Sequence, residues 1–259
     1  VVGSGAEMLI RSYLNVVGNL DTLGLYNAGY MITMTYAGMV FSAMETDYFP
    51  RLSAVNSDIK ASNEVVNKQV EVTLLIISPM LVGLMVFLPV LIPLLFTQEF
   101  LPVIAMTQVA TLAMFLKAIT LPVAYITLAR GYSMMYLVLE TAYCMVFVLL
   151  IVLGYQYWGL LGTGIAIAIA HVFDLLMIHG VAVWRYGYRI TSAVVRYSAV
   201  HFLIGLLTFF AVFTVDGIGY WVFGIGLTLV SLMFSIVVLH QKTHLWEALK
   251  KRFPKMNSR

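Results

Sequence analysis

The chain has 259 residues, of which 61% are hydrophobic and only 10% charged. A soluble domain carries about a quarter charged residues, and a soluble core of this size cannot hide so much apolar surface from water. The composition therefore excludes a soluble globular protein and points to an all-α, polytopic transmembrane helix bundle. The net charge is +3, and the single cysteine, Cys144, can form no intrachain disulfide. Neither a cofactor nor a nucleic-acid partner is expected.

In chain order, one partial and seven full spans are predicted, at about 1–18, 24–44, 70–96, 101–129, 133–154, 158–184, 194–215 and 218–240. Each full span has about 20 or more predominantly apolar residues, the length that crosses a bilayer as a helix. The first stretch is short for a span. It begins Val1-Val2-Gly3 with no basic leader, so the start is read as a cut within or just before a helix, with a missing N-terminal part upstream. Strands of a barrel would be about ten residues long and alternate in polarity, and no such pattern occurs. Two segments are expected not to span. Residues 51–69 are polar and read as a short helix or loop at the interface. Thr243–Phe253 reads as an amphipathic helix, capped by Thr243 and lying on the headgroups. Its basic residues suit either anionic lipid or a routine positive-inside anchor.

Orientation follows from the Lys and Arg residues. Thirteen of the 15 fall in 45–69, 129–133, 185–196 and the 242–259 tail, all on one side if the spans alternate. The opposite turns hold Asp21, Glu99 and Asp216 with no basic residue. The basic side, with the C-terminus, is expected to be cytoplasmic.

No enzymatic motif is present. The G-x-G triplets at Gly3, Gly162, Gly217 and Gly224 lie in or beside apolar spans, with no preceding strand to make a dinucleotide site. The five histidines form no zinc-binding pattern. Ionisable residues at membrane depth stand out instead, because each costs about 2.5–3.5 kcal/mol to insert. Lys117 is central in its span and shares a stripe with Ala110, Ala113, Thr120 and Ala124, the face of a helix turned to a cavity. Arg11 follows Glu7 by one turn. His171 and Asp174 share a face, at i,i+3 spacing. Glu140 sits on a stripe with Tyr132, Tyr136 and Tyr143. Each also has a structural reading: an i,i+4 ion pair, an interhelical hydrogen bond, a reach to headgroups, an aromatic belt. Pro79, Pro89, Pro93 and Pro122 suggest kinked helices. Gly159, Gly162 and Ala166 suggest close helix contacts.

Two segments carry a family resemblance. Leu23-Gly-Leu-Tyr-Asn-Ala-Gly-Tyr30 opens a span, and Ala43-Met-Glu-Thr-Asp-Tyr-Phe-Pro-Arg-Leu-Ser53 closes it. With Leu128–Ser133 and Trp158–Ala166, they resemble the polysaccharide (O-antigen type) flippase branch of the multidrug/oligosaccharidyl-lipid/polysaccharide exporter superfamily. The motif residues are Gly24, Tyr26, Asp47, Pro50 and Arg51. The resemblance implies a C-terminal transporter lobe over residues 1–190, two additional helices at 191–241 and a basic cytoplasmic tail at 242–259. It further implies a bacterial inner membrane, a partner N-terminal lobe and alternating access. The implied cargo is an undecaprenyl-pyrophosphate-linked oligosaccharide, carried between leaflets. The cavity candidates are Arg11, Tyr30, Lys117, Glu140, His171 and Asp174, with Lys117 and Arg11 offered to the pyrophosphate. A multidrug/cation antiporter of the same superfamily, using Asp174 or Glu140 as its ion site, stays open. So do a membrane-embedded polymerase or glycosyltransferase and a non-transporting scaffold.

Overall fold

The computed structural model describes residues 2–243. It comprises α1 (Val2–Val17), α2 (Leu20–Ala54), α3 (Ile59–Leu95), a 3-10 turn at Gln98–Phe100, α4 (Val103–Ala129), α5 (Ser133–Tyr186), α6 (Ser192–Thr214) and α7 (Gly217–Thr243). Among the described residues there is no strand. Helices follow from the solvent: backbone groups in hydrocarbon must be satisfied within their own segment. α3 to α7 are long and apolar enough to cross a membrane, which makes this a multi-pass membrane fold. α1 has 16 residues. α2 has the length, at 35 residues, but its hydropathy is lowered by a row of polar residues that includes Thr33, Thr35, Ser42 and Glu45.

One expectation needs correction. Residues 51–69 form no separate interfacial element. α2 runs on to Ala54 and α3 starts at Ile59. The Asp58 carboxylate caps α3 by accepting from the N–H groups of Lys60 and Ala61 at 2.8 and 3.1 Å. At 37 residues, α3 is about 55 Å long, well beyond the roughly 30 Å hydrocarbon layer. Its first turns are polar because they stand outside that layer. They stay helical because Ser62, Val66 and Asn67 are buried against the rest of the bundle. Pro79, Pro89 and Pro93 lie inside one continuous α3, and Pro122 lies inside α4. The expected amphipathic helix falls outside the described residues, apart from Thr243, which closes α7.

The two spans expected at 133–154 and 158–184 are the arms of α5. The break is at Trp158 and Gly159, where Gly159 has φ 55°, a conformation open mainly to glycine. The arms then cross where Gly154 and Gly162 touch backbone to backbone, so that a Cβ on either would run into the carbonyl of the other. A Cβ on Gly164 would lie 2.6 Å from the Met106 carbonyl oxygen, which brings the second arm directly onto α4. The small-residue pattern of this region is therefore a packing device. α1 lies along the first arm, with Tyr13 edge-on to Tyr155. α6 and α7 dock on α3: the Tyr220 hydroxyl donates to the Val86 carbonyl oxygen at 2.8 Å, and Lys242 pairs with Glu71.

Candidate functional site

α2, α4 and both arms of α5 surround a cavity of about 260 Å³. α2 contributes Glu45, and α4 contributes Lys117, Thr120, Leu121, Ala124 and Tyr125. The first arm of α5 contributes Tyr136, Leu139, Glu140 and Tyr143; the second contributes Asp174 and Ile178. The helical spacing dictates this order. Lys117, Thr120 and Ala124 fall on one face of α4, whereas Ala110 and Ala113, further along the same stripe, are fully buried in packing. Glu140 with Tyr136 and Tyr143 forms the matching face of the first arm. Tyr132 leaves that stripe, because it sits in the turn before α5 and stacks on Tyr186 instead.

The cavity brings together three of the six candidates, Lys117, Glu140 and Asp174. It adds Glu45 and Tyr125, which the sequence did not single out. One ammonium thus faces three carboxylates on neighbouring helices. Among the described residues Lys117 makes no ion pair. Its Nζ sits 5.8 Å from the centre of the Phe41 ring, a contact that stabilises a cation without neutralising it. Among the described residues no three His, Cys, Asp or Glu side chains converge closely enough to hold one metal ion.

His171 is not a lining residue. It is buried one turn from Asp174, with Nδ1 2.9 Å from the Ile167 carbonyl oxygen and its ring edge-on to Tyr143. The shared face with Asp174 therefore carries no bond between the two. Arg11 and Tyr30 form a separate group around Glu7. Arg11 Nη2 lies 3.1 Å from one carboxylate oxygen, and the Tyr30 hydroxyl donates to the other at 3.1 Å. Gly3, on the same helix as Glu7, borders the cavity side of the first arm: a Cβ there would lie 3.7 Å from Glu140 Oε1.

The motif residues divide by task. Tyr26 is buried and stacks on Tyr30. Gly24 has open space where a Cβ would stand. Asp47 and Arg51 pair at 2.9 Å on the exposed end of α2, and Arg51 also donates to Gln69 of α3 at 3.4 Å. Between them the buried Tyr48 donates to the Pro122 carbonyl oxygen at 2.6 Å. Pro50 is accommodated in the last turns of α2. This segment fastens α2 to α3 and α4 and so fixes the wall that carries Glu45.

A bundle of long apolar helices around a charged internal cavity defines a multi-pass membrane protein. A family model described as "Polysaccharide biosynthesis protein" matches residues 6–105, the region that holds both motif segments. A solved structure titled "Lipid II flippase MurJ, inward closed conformation" has the same fold. It aligns with a TM-score of 0.68 at 16% identity over 93% of this chain and 52% of that one. The chain thus spans about half the length of that structure. The family model covers the resemblance read at residues 23–53, and the solved structure shows the shared fold. No curated protein matches the sequence.

Proposed function

We propose that the protein translocates a lipid-linked oligosaccharide, such as an O-antigen or other polysaccharide repeat unit on undecaprenyl pyrophosphate, between membrane leaflets by alternating access. The observation that carries this reading is the placement of Lys117. It is a cation with no ion pair among the described residues, set in an internal cavity within a fold shared with a lipid flippase structure. An ion held at that depth is costly unless a partner arrives, and a pyrophosphate supplies one. Glu45, Glu140 and the cavity tyrosines offer hydrogen-bond acceptors and ring faces suited to sugar hydroxyls and pyranose rings. Arg11 and Tyr30, tied through Glu7, line the approach on α1 and α2. His171 supports Tyr143 and does not touch the cargo. Translocation makes and breaks no covalent bond, so the protein is a transporter and not an enzyme.

In this reading residues 1–190 are one transporter lobe, 191–241 are two added helices, and a second lobe completes the cavity. The basic loops and the C-terminus face the cytoplasm of a bacterial inner membrane. The excess of carboxylates over lysine favours a second reading, a cation or drug antiporter of the same fold with Asp174 or Glu140 as the ion site. Liposome reconstitution separates the two. The intact protein is expected to expose a fluorescent lipid-linked oligosaccharide to an impermeant quencher faster than protein-free liposomes do. Equal rates, together with pH-dependent efflux of organic cations, would replace the flippase reading with the antiporter.

A further inference from the structure

The geometry points to a second site, at the basic end of the bundle, that binds an anionic phosphate ester through Arg130, Tyr132, Arg185 and Tyr186. It does not depend on the transport reading. Two helix ends build it. α4 closes with Gly131 at φ 77°. There the Tyr132 N–H donates to the Thr127 carbonyl at 3.0 Å and the Gly131 N–H to Leu128 at 2.9 Å. This is the glycine-closed helix end of the Schellman type, and it sets Arg130 and Tyr132 on either side of one residue. α5 closes with Gly187 at φ 66°, and the Tyr188 N–H returns to the Ala182 carbonyl at 3.0 Å. Because α5 folds back at Gly159, its last turn reaches the level of its first.

The four side chains then meet. The Tyr132 and Tyr186 rings stack with centroids 5.9 Å apart at 26°. The Arg130 guanidinium lies 5.3 Å from the Tyr186 ring, and the Arg185 guanidinium 5.3 Å from the Tyr132 ring. Among the described residues, neither arginine has a hydrogen-bond or ion-pair partner on its side chain. Among the described residues Arg130 Nε and the Tyr186 hydroxyl are buried with no hydrogen-bond partner, and Tyr186 is only 3% exposed. Three acidic residues of this end are engaged elsewhere: Asp47 with Arg51, Asp58 with the first turn of α3, Glu71 with Lys242.

An interfacial anchor of Tyr and Arg would turn its polar ends to water. Here two donors are turned inward, and a buried donor left unmade is expensive. Each guanidinium is held against a ring and keeps N–H groups that can grip phosphate oxygens. A phosphate ester accepts from several directions at once and neutralises two arginines. A lipid headgroup at the membrane surface or a soluble phosphate would present the same chemistry.

Calorimetry on the intact, detergent-solubilised protein tests this with dihexanoyl phosphatidic acid and with inorganic phosphate. Arg130→Gln with Arg185→Gln is expected to weaken phosphatidic acid binding by about tenfold or more, and Tyr186→Phe by about threefold, since charge-assisted bonds outweigh a neutral hydroxyl. Arg189→Gln with Lys60→Gln, basic but outside the stack, is expected to change it by less than about twofold, because exposed charges are screened. If the double glutamine variant fails to fold, Arg130→Lys keeps the charge, loses the fork and still weakens binding several-fold, about threefold. Inorganic phosphate competing with the lipid identifies a soluble source; lipid binding without competition identifies a headgroup, and both support the site. No binding of either probe, or equal losses in the stack and the outside pair, would overturn it.

Discussion

Lys117 Nζ stands 5.8 Å from the centre of the buried Phe41 ring, across the interface of α4 and α2. With no ion pair among the described residues, the ammonium leans on this ring. Phe41→Leu keeps most of the apolar volume and removes the ring face, which is worth about 0.5–2 kcal/mol to a cation. Transport by the reconstituted protein is expected to fall, while the melting temperature moves by only a few degrees. Unchanged transport would show that the ring is packing alone.

Asn67, together with Asn63, fastens α3 to the segment that leads into α6. Its side chain donates to the Arg189 carbonyl at 2.9 Å, and it accepts from the Thr191 N–H at 3.0 Å and the Tyr188 hydroxyl at 3.2 Å. Asn67→Leu leaves these groups without their partner and is expected to cost about 1–3 kcal/mol. Proteolysis of the 187–191 connection should accelerate in the variant. An unchanged cleavage rate would mean that the loop is held by other contacts.

The Tyr48 hydroxyl gives a smaller, cleaner test. Tyr48→Phe keeps the ring against Tyr125 and deletes one hydrogen bond to the Pro122 carbonyl. The expected loss is about 0.5–1.5 kcal/mol, read as a lowered midpoint of thermal unfolding in detergent. A drop as large as that of Tyr48→Ala would mean that the ring contributes nothing.

Gly162 tolerates no side chain. Its position against the Gly154 carbonyl means that Gly162→Ala must push the two arms of α5 apart, at about 1–3 kcal/mol or more. Gly226→Ala, where a Cβ meets open space, is the matched control. Folded yield after purification should fall for the first and hold for the second; equal yields would contradict the close crossing.

The spans were legible because a continuous apolar run is the direct signature of hydrocarbon. The parts that leave the hydrocarbon were not. Residues 51–69 read as a short helix or loop at the interface because their polarity reports water, yet from Ile59 they belong to the long α3, on the strength of Asp58 and the buried face with Val66 and Asn67. Lys117, Glu140 and Asp174 could each be singled out by their depth. Their meeting depends on α5 folding back at Gly159, which no single-helix pattern encodes. Glu45 was passed over because it lies just beyond the apolar run of α2, although it sits inside the conspicuous 43–53 motif. His171 shows the opposite failure. A shared helix face places it near Asp174, but its ring bond goes to the backbone of its own helix.

The central claim is that Lys117 is the charge that receives the cargo. The direct measurement is the rate at which the intact, reconstituted protein exposes a fluorescent lipid-linked oligosaccharide, compared between wild type and Lys117→Met. Methionine keeps the length and apolar stem and removes the charge. A charge-assisted contact is worth about 1.5–3 kcal/mol, so the rate should fall by about tenfold or more, with the unfolding midpoint held or raised once the unpaired cation is gone. A Lys117→Met protein that flips the oligosaccharide at the wild-type rate would contradict the account.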